Sequence, residues 1–336
     1  MTNDDFADVT ATEIARRLVG APVLGVTRAA GGRNSRVYRV DAGTRIFALK
    51  QYPSLQDDPR DRLGVEAAAL KWMAEQGLNM VPRLVATDPA SNSALLSWVE
   101  GSLVRNVGDS DVDQAAHFLA ELHRLSRSSG FPDCHLATEA CLSGAQIEQQ
   151  IRTRVADLDR LQDEVALGAF LGGDFAAALR DFLAAARSML SSAGLSFELE
   201  LSPRRRSMVP SDFGFHNALR NDEGRLTFID FEYFGWDDPV KLIADVLLHP
   251  GRPVAVELRS RFRATAEKLY GDDPDFATRL RAFYRLFGLR WVLILLNEFH
   301  PERWRRRVLA GASEDWTEAK ERQLGAARVM LMNLLA

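Results

Sequence analysis

At Gly101 the sequence changes from one kind of pattern to another. Before it, "PVLGVTRAAGGRNSRVYRVDAGTRIFALKQY" holds β-branched and aromatic runs punctuated by Gly31-Gly32 and Asp41-Ala42-Gly43, which predicts an antiparallel meander. "RLVATD" and "SALLSWVEG" predict two more strands, and residues 60–76 a helix ended by Gly77. Thr10 with Glu13 reads as a capping box opening a short first helix. After Gly101, Ser110 and Asp113 form a second such box. It opens a helix with Val112, Ala115, Leu119 and Leu122 on one stripe. Residues 139–192 are helical in pattern, 208–231 form a hairpin region, and nearly everything from Pro239 onward is helical. A chain of 336 residues is long for one core. The expected organisation is therefore a small β-rich lobe (1–96), a connector (97–101) and a larger helical lobe (102–336).

Charge and motif content narrow the function. The net charge of −4 gives no electrostatic reason to expect a nucleic acid or an anionic membrane as partner. "RRR" at 204–206 and "RWRRR" at 303–307 read as solvated faces. The acidic N-terminal stretch lacks the apolar segment of a signal peptide, and "WVLILL" (291–296) is too short to span a bilayer. Cys134 and Cys141 make neither a disulfide framework nor a CxxC pair, and the six histidines include no HExxH. No GxSxG, Walker A or GxGxxG sequence is present. A cytoplasmic protein is expected.

The chemistry concentrates in "VPSDFGFHNALRNDEGRLTFIDFEY", residues 209–233, where Asp212, Asn217 and Asp230 stand among apolar residues. With "NDEG" as the turn and Arg220 opposite Arg225, Asn217 is expected opposite Phe228, two residues before Asp230. Two acids and an amide converging at one end of a hairpin suit a hard divalent cation, with an oxygen left to accept a proton. The alternative is a set of solvated turn and strand termini. In the first lobe, Lys50 shares a strand face with Ile46 and Ala48, while Glu66 lies on a helix stripe with Leu63, Leu70 and Met73. Each charge is misplaced alone, and pairing resolves both, leaving Lys50 poised to hold phosphate.

In order, "GGRNSRVYRV", "FALKQY", "VEAAALKWM", "LLSWVEG", "AAHFLAELHRL", "DFGFHN" and "IDFEYFGWDDP" resemble the aminoglycoside phosphotransferase and choline kinase superfamily, relatives of protein kinases. The 18-residue interval from Asp212 to Asp230 carries much of the likeness, and "IDFEY" is especially like choline-kinase-type members. The resemblance implies an α+β, protein-kinase-like two-lobe fold with a small antiparallel β-rich N-lobe and a larger mainly helical C-lobe. It implies that Gly31, Gly32, Asn34 and Ser35 cover the phosphates of ATP, Lys50 contacts the α- and β-phosphates, and Glu66 orients Lys50. Backbone groups near Ser97 and Val99 would hold adenine, Asp212 would be the catalytic base, and Asn217 and Asp230 would bind Mg²⁺. The acceptor would be a small-molecule hydroxyl, on an aminoglycoside, a choline-like amino alcohol or a sugar. It would sit between the 139–200 segment and the C-terminal helices.

Two departures stand out. Pro210-Ser211 replace the family's His-Gly before the catalytic acid, and His216 does not occupy the matching position. Leu242 stands where an acid is usual, so Asp245 either substitutes or is a surface acid. Arg290 and Asn297 on one apolar helix face need partners, either substrate or a neighbouring helix. Tyr233, Trp236 and Trp291 are either core residues or faces for a cationic group. Asp237-Asp238 reads as a turn stabilising the lobe. Against the kinase reading stands a catalytically silent nucleotide-binding module of the pseudokinase kind.

Overall fold

The computed structural model describes residues 3–29, 35–56, 58–128, 135–161, 164–251, 254–309 and 314–336. Gly31, Gly32, Asn34 and Cys134 lie outside the described residues. The chain divides into two compact units, one of Met1–Thr138 with Pro210–Gly235, the other of Glu139–Val209 with Trp236–Ala336.

The first unit opens with α1 (Asn3–Val19), followed by β1 (Gly25–Arg28), β2 (Arg36–Asp41) and β3 (Ile46–Gln51). Helix α2 (Arg62–Glu75) precedes β4 (Leu84–Asp88) and β5 (Ser93–Ser97). These five strands form one antiparallel sheet in the order β1-β2-β3-β5-β4, so the predicted meander is extended by the later pair across β3. One sheet face packs Tyr38, Val40, Phe47, Leu49 and Leu95 against Ala11, Ile14 and Ala15 of α1. That helix begins at Asn3, seven residues before the expected box at Thr10.

Strand β6 (Ser102–Leu103) and α3 (Asp109–Ser128) follow. The capping interaction of α3 is made by Asp111, whose carboxylate accepts from the Gly108 N–H (2.7 Å), two residues earlier than the predicted pair. The unit is completed by a hairpin of β8 (Ala218–Arg220) and β9 (Leu226–Phe228), with β6 along its edge.

The second unit is mainly helical: α4 (Gly144–Asp159), α5 (Val165–Phe170) and α6 (Ala176–Ser192), then α7 (Pro239–Leu248), α8 (Val256–Leu269), α9 (Phe276–Leu295), α10 (Pro301–Leu309) and α11 (Trp316–Leu335). A short ribbon pairs β7 (Ser207–Val209) with β10 (Gly235–Asp237). Helix α9 carries thirteen buried residues and packs on α4, α6, α7 and α11, which makes it the axis of this unit. Among the described residues, no helix is long and apolar enough to cross a membrane.

Charges inside this unit are paired. Arg290 of α9 gives two hydrogen bonds (2.9 and 2.8 Å) to Asp245 of α7, and the Trp291 indole gives a third at 2.8 Å. Arg290 thus finds its partner on a neighbouring helix, and Asp245, 4% exposed, is no surface acid. Asn297 accepts from Arg303. Asp238 caps α7 at Val240 and binds Arg279 (3.0 and 3.1 Å), as expected of a stabilising turn. Burial pushes Asp237 up to about 6, while its Oδ1 accepts from the Cys141 and Asp238 amides.

Candidate active site

Strand β3 brings Lys50 to the sheet face that α2 covers, and α2 supplies its partner. Asp61 caps this helix, accepting from the Gly64 N–H (2.9 Å). Its buried stripe includes Leu63, Glu66, Leu70 and Met73, so the glutamate enters an apolar setting. Lys50 Nζ lies 2.6 Å from Glu66 Oε2 and 2.5 Å from Asp230 Oδ1. Burial pulls the ammonium toward neutrality, but the fields of Asp230 and Glu66 outweigh it and hold Lys50 well above the ordinary lysine value. The Tyr52 hydroxyl also donates to Glu66 Oε2 (2.6 Å), and the Phe231 N–H to Glu66 Oε1 (3.1 Å). Glu66 is therefore fixed at both oxygens.

The hairpin register differs by one residue from expectation. Asn221 pairs with Arg225 around the three residues Asp222-Glu223-Gly224, with Gly224 at φ 80°, and Asn221 Oδ1 accepts from the Glu223 and Arg225 amides. This is the three-residue loop with a left-handed glycine. It sets Ala218 opposite Phe228, and the Ile229 N–H donates to the Asn217 carbonyl (2.9 Å). Asn217 thereby sits one residue closer to Asp230. Its amide Nδ2 donates to the Asp212 carbonyl (2.9 Å), so Asn217 ties the backbone beside one acid to that of the other.

Asp212 follows a strained turn. The Asp212 N–H donates to the Pro210 carbonyl (2.9 Å), and Ser211 between them has φ 67°, a positive-φ γ-turn. Ser211 Oγ donates to the Thr138 carbonyl (3.2 Å). Asp230 also has positive φ, 72°. Two such residues, one in each acid-bearing segment, are the kind of strain that functional sites hold. His216 Nε2 lies 3.0 Å from Asp212 Oδ1.

Lys50, Glu66, Asp212, Asn217 and Asp230 all belong to the first unit. Ser97, at the end of β5, has already given its amide to the Arg83 carbonyl (2.8 Å). Val99 makes no backbone–backbone hydrogen bond among the described residues. Sequence reasoning assigned no role to Glu232, Arg62 and Asp58. Glu232, 2% exposed, pairs with Arg62, lies 3.4 Å from Lys50 Nζ and accepts from Ser35 Oγ (3.2 Å). Burial and then the Asp230 charge raise its pKa. Arg62 also binds Asp58 (3.0 Å from Nε). Its one sequence signal was its place four residues before Glu66, on the same face of α2. The Tyr233 ring faces Arg60 and Arg62 (5.3 and 5.2 Å), the protein's own cations.

The donor set fits a divalent cation. Lys50, Arg60 and Arg62 face four carboxylates, Asp58, Glu66, Asp230 and Glu232, so the cluster has room for further positive charge. Asn217 spends its amide nitrogen on the Asp212 carbonyl, so its oxygen is the end that a cation could use.

A buried lysine clamped by a helix glutamate, with an acid–amide–acid set on an adjoining hairpin, defines a phosphotransferase-type site. The family comparison agrees: the model of the phosphotransferase enzyme family matches residues 25–287, and the chain belongs to that family. No curated protein matches the sequence. Among solved structures, a choline/ethanolamine kinase family protein from Mesorhizobium loti is similar with TM-score 0.57 and 16% identity, over 95% of this chain and 94% of that one. Choline kinase from Cryptosporidium parvum Iowa II gives TM-score 0.61 and 13% identity over 98% and 96%. ADP-bound aminoglycoside phosphotransferase APH(2'')-Ib gives TM-score 0.60 and 14% identity over 94% and 99%. The fold is thus the α+β, protein-kinase-like fold of choline kinases and aminoglycoside phosphotransferases.

Proposed function

We propose that the protein is an ATP- and Mg²⁺-dependent kinase that moves the γ-phosphoryl group to a hydroxyl of a small molecule. The acceptor class is an aminoglycoside, a choline-like amino alcohol or a sugar. The observation that carries this is the Lys50 ammonium, buried and held within hydrogen-bond reach of both Glu66 and Asp230. Pairing with Glu66 keeps this buried ammonium charged and aimed, and in this reading it contacts the α- and β-phosphates of the nucleotide. The ADP of the aminoglycoside phosphotransferase relative supports an adenine nucleotide.

In this reading residues 1–96 form the nucleotide lobe, with Gly31, Gly32, Asn34 and Ser35 over the phosphates. Residues 97–101 are the connector, and its backbone near Ser97 and Val99 receives adenine. Residues 102–336 supply the catalytic loop and the acceptor site. Asp212 accepts the hydroxyl proton as the new O–P bond forms and the bond from the γ-phosphorus to the β-bridging oxygen breaks. Asn217 and Asp230 would hold the cation, which when bound would supply charge neutralisation for the phosphates. Asp212 positions the acceptor hydroxyl and Lys50 supplies positive charge at the phosphates, and positioning with charge neutralisation is what phosphoryl transfer needs.

The test is ADP release from ATP–Mg²⁺ against a panel of aminoglycosides, amino alcohols and sugars. Asp212→Ala is expected to lose roughly 100-fold or more in kcat while keeping its melting temperature. Wild-type rates in that variant would refute the assignment. Pro210-Ser211 in place of His-Gly favours a second reading, a silent nucleotide-binding module. Such a module would gain thermal stability from ATP–Mg²⁺ and release no ADP with any acceptor.

A further inference from the structure

We propose that His216 is a positioning residue that orients the Asp212 carboxylate toward the acceptor hydroxyl; this rests on the kinase reading above. The backbone of Asp212 is fixed at both ends, by the Pro210 carbonyl on its N–H and by Asn217 on its carbonyl. Neither bond constrains the two torsions of the side chain. His216 does, because its Nε2 sits 3.0 Å from Asp212 Oδ1. With the carboxylate ionised, the proton of this bond is on Nε2 and the imidazole donates. Holding Oδ1 sets the plane of the carboxylate and hence the direction of Oδ2.

The local chain is shaped to allow the contact. Residues 215–217 make a single tight turn that returns His216 over Asp212. Gly214 precedes it at φ 162°, an extended conformation open to any residue. What glycine supplies is space: a Cβ there would lie 2.9 Å from His216 Nδ1 and 3.0 Å from Cε1, closer than side chains pack. Gly214 and His216 therefore act as one device. The imidazole is 18% exposed and the Asp212 carboxylate 39%, so the histidine is the more enclosed partner of a carboxylate that stays open to solvent.

The experiment uses the full-length protein and ADP release from ATP–Mg²⁺ with water as acceptor, which needs no identified substrate, and then with any acceptor that the panel yields. His216→Ala is expected to lower kcat roughly 10- to 100-fold with the KM for ATP and the melting temperature unchanged. His216→Gln, which offers an amide N–H at a similar reach, recovers much of that loss. Gly214→Ala reproduces the His216→Ala defect with the imidazole still present. An unchanged kcat in His216→Ala overturns the proposal. So does a joint fall of kcat, ATP affinity and melting temperature without recovery in His216→Gln.

A spectroscopic arm separates this from failure of the kinase reading. In ¹⁵N-histidine-labelled protein, His216 should show the Nε2–H form, with resonances that move in Asp212→Ala. A wild type without ADP release would refute the enzymatic reading. The same spectra would still uphold or overturn the His216–Asp212 contact.

Discussion

Ser211 occupies a backbone conformation that glycine adopts at little cost, and it stands immediately before Asp212. Left-handed φ costs a side-chain-bearing residue about 1 kcal/mol through the crowding of its Cβ. The Ser211 hydroxyl offsets part of this through its bond to Thr138. Ser211→Ala and Ser211→Gly both lose that bond, so comparing them isolates the backbone. The glycine variant is expected to be the more stable by roughly 0.5–1 kcal/mol in urea denaturation. An alanine variant as stable as the glycine one would show that Ser211 carries no strain. Residues at this scale were unevenly legible in the sequence. Lys50 and Glu66 stood out because each set a charge on a face that is otherwise mainly apolar. Ser211 did not, because nothing in "VPSDF" discloses that the Asp212 amide turns back on Pro210.

Helix α2 is anchored at its start by an ionic chain: Asp58 binds Arg60 (2.7 and 2.6 Å) and Arg62, and Arg62 binds Glu232. Burial alone would raise the Asp58 pKa, but the hydrogen bonds from Arg60 and Arg62 override it and hold this carboxyl well below its ordinary value of 3.8. A depressed folded-state pKa stabilises the fold above the unfolded value and loses that contribution as pH falls. Asp58→Asn is therefore expected to cost about 1–3 kcal/mol at pH 7. The gap to wild type should shrink as pH drops below about 4, read from urea midpoints across the acid range. A gap that stays constant down to pH 2 would contradict the ionic origin. The partners in this chain explain why it was invisible beforehand. Arg62 and Glu232 are 170 residues apart, and only the folded backbone brings them together. The hairpin was legible to within one residue, since "NDEG" admits two closures. The left-handed Gly224 selects the shorter one, and Asn217 moves with it toward Asp230.

For the whole molecule, the division into units makes nucleotide and acceptor separable by where each leaves its mark. The side chains proposed to hold ATP and the cation, Lys50, Glu66, Asn217 and Asp230, fall in the first unit, together with Asp212. The acceptor site is proposed between the 139–200 segment and the C-terminal helices, in the second unit. A ligand protects the elements whose local opening would cost its contacts, in proportion to its binding free energy. Hydrogen exchange with ATP–Mg²⁺ is expected to slow at β3, α2 and residues 211–232, with α4, α6 and α11 at their ligand-free rates. An acceptor found by the ADP-release panel should instead slow exchange in α4, α6 and the C-terminal helices. Helix α9 makes a demanding readout. As the axis of its unit it should already open only with that whole unit, so protection there marks stabilisation of the unit as a whole. Nucleotide protection concentrated in α4 and α6, with β3 and α2 unchanged, would place the nucleotide on the wrong unit. Lys50 would then lose its proposed role, and its burial between Glu66 and Asp230 would be a structural ion pair alone.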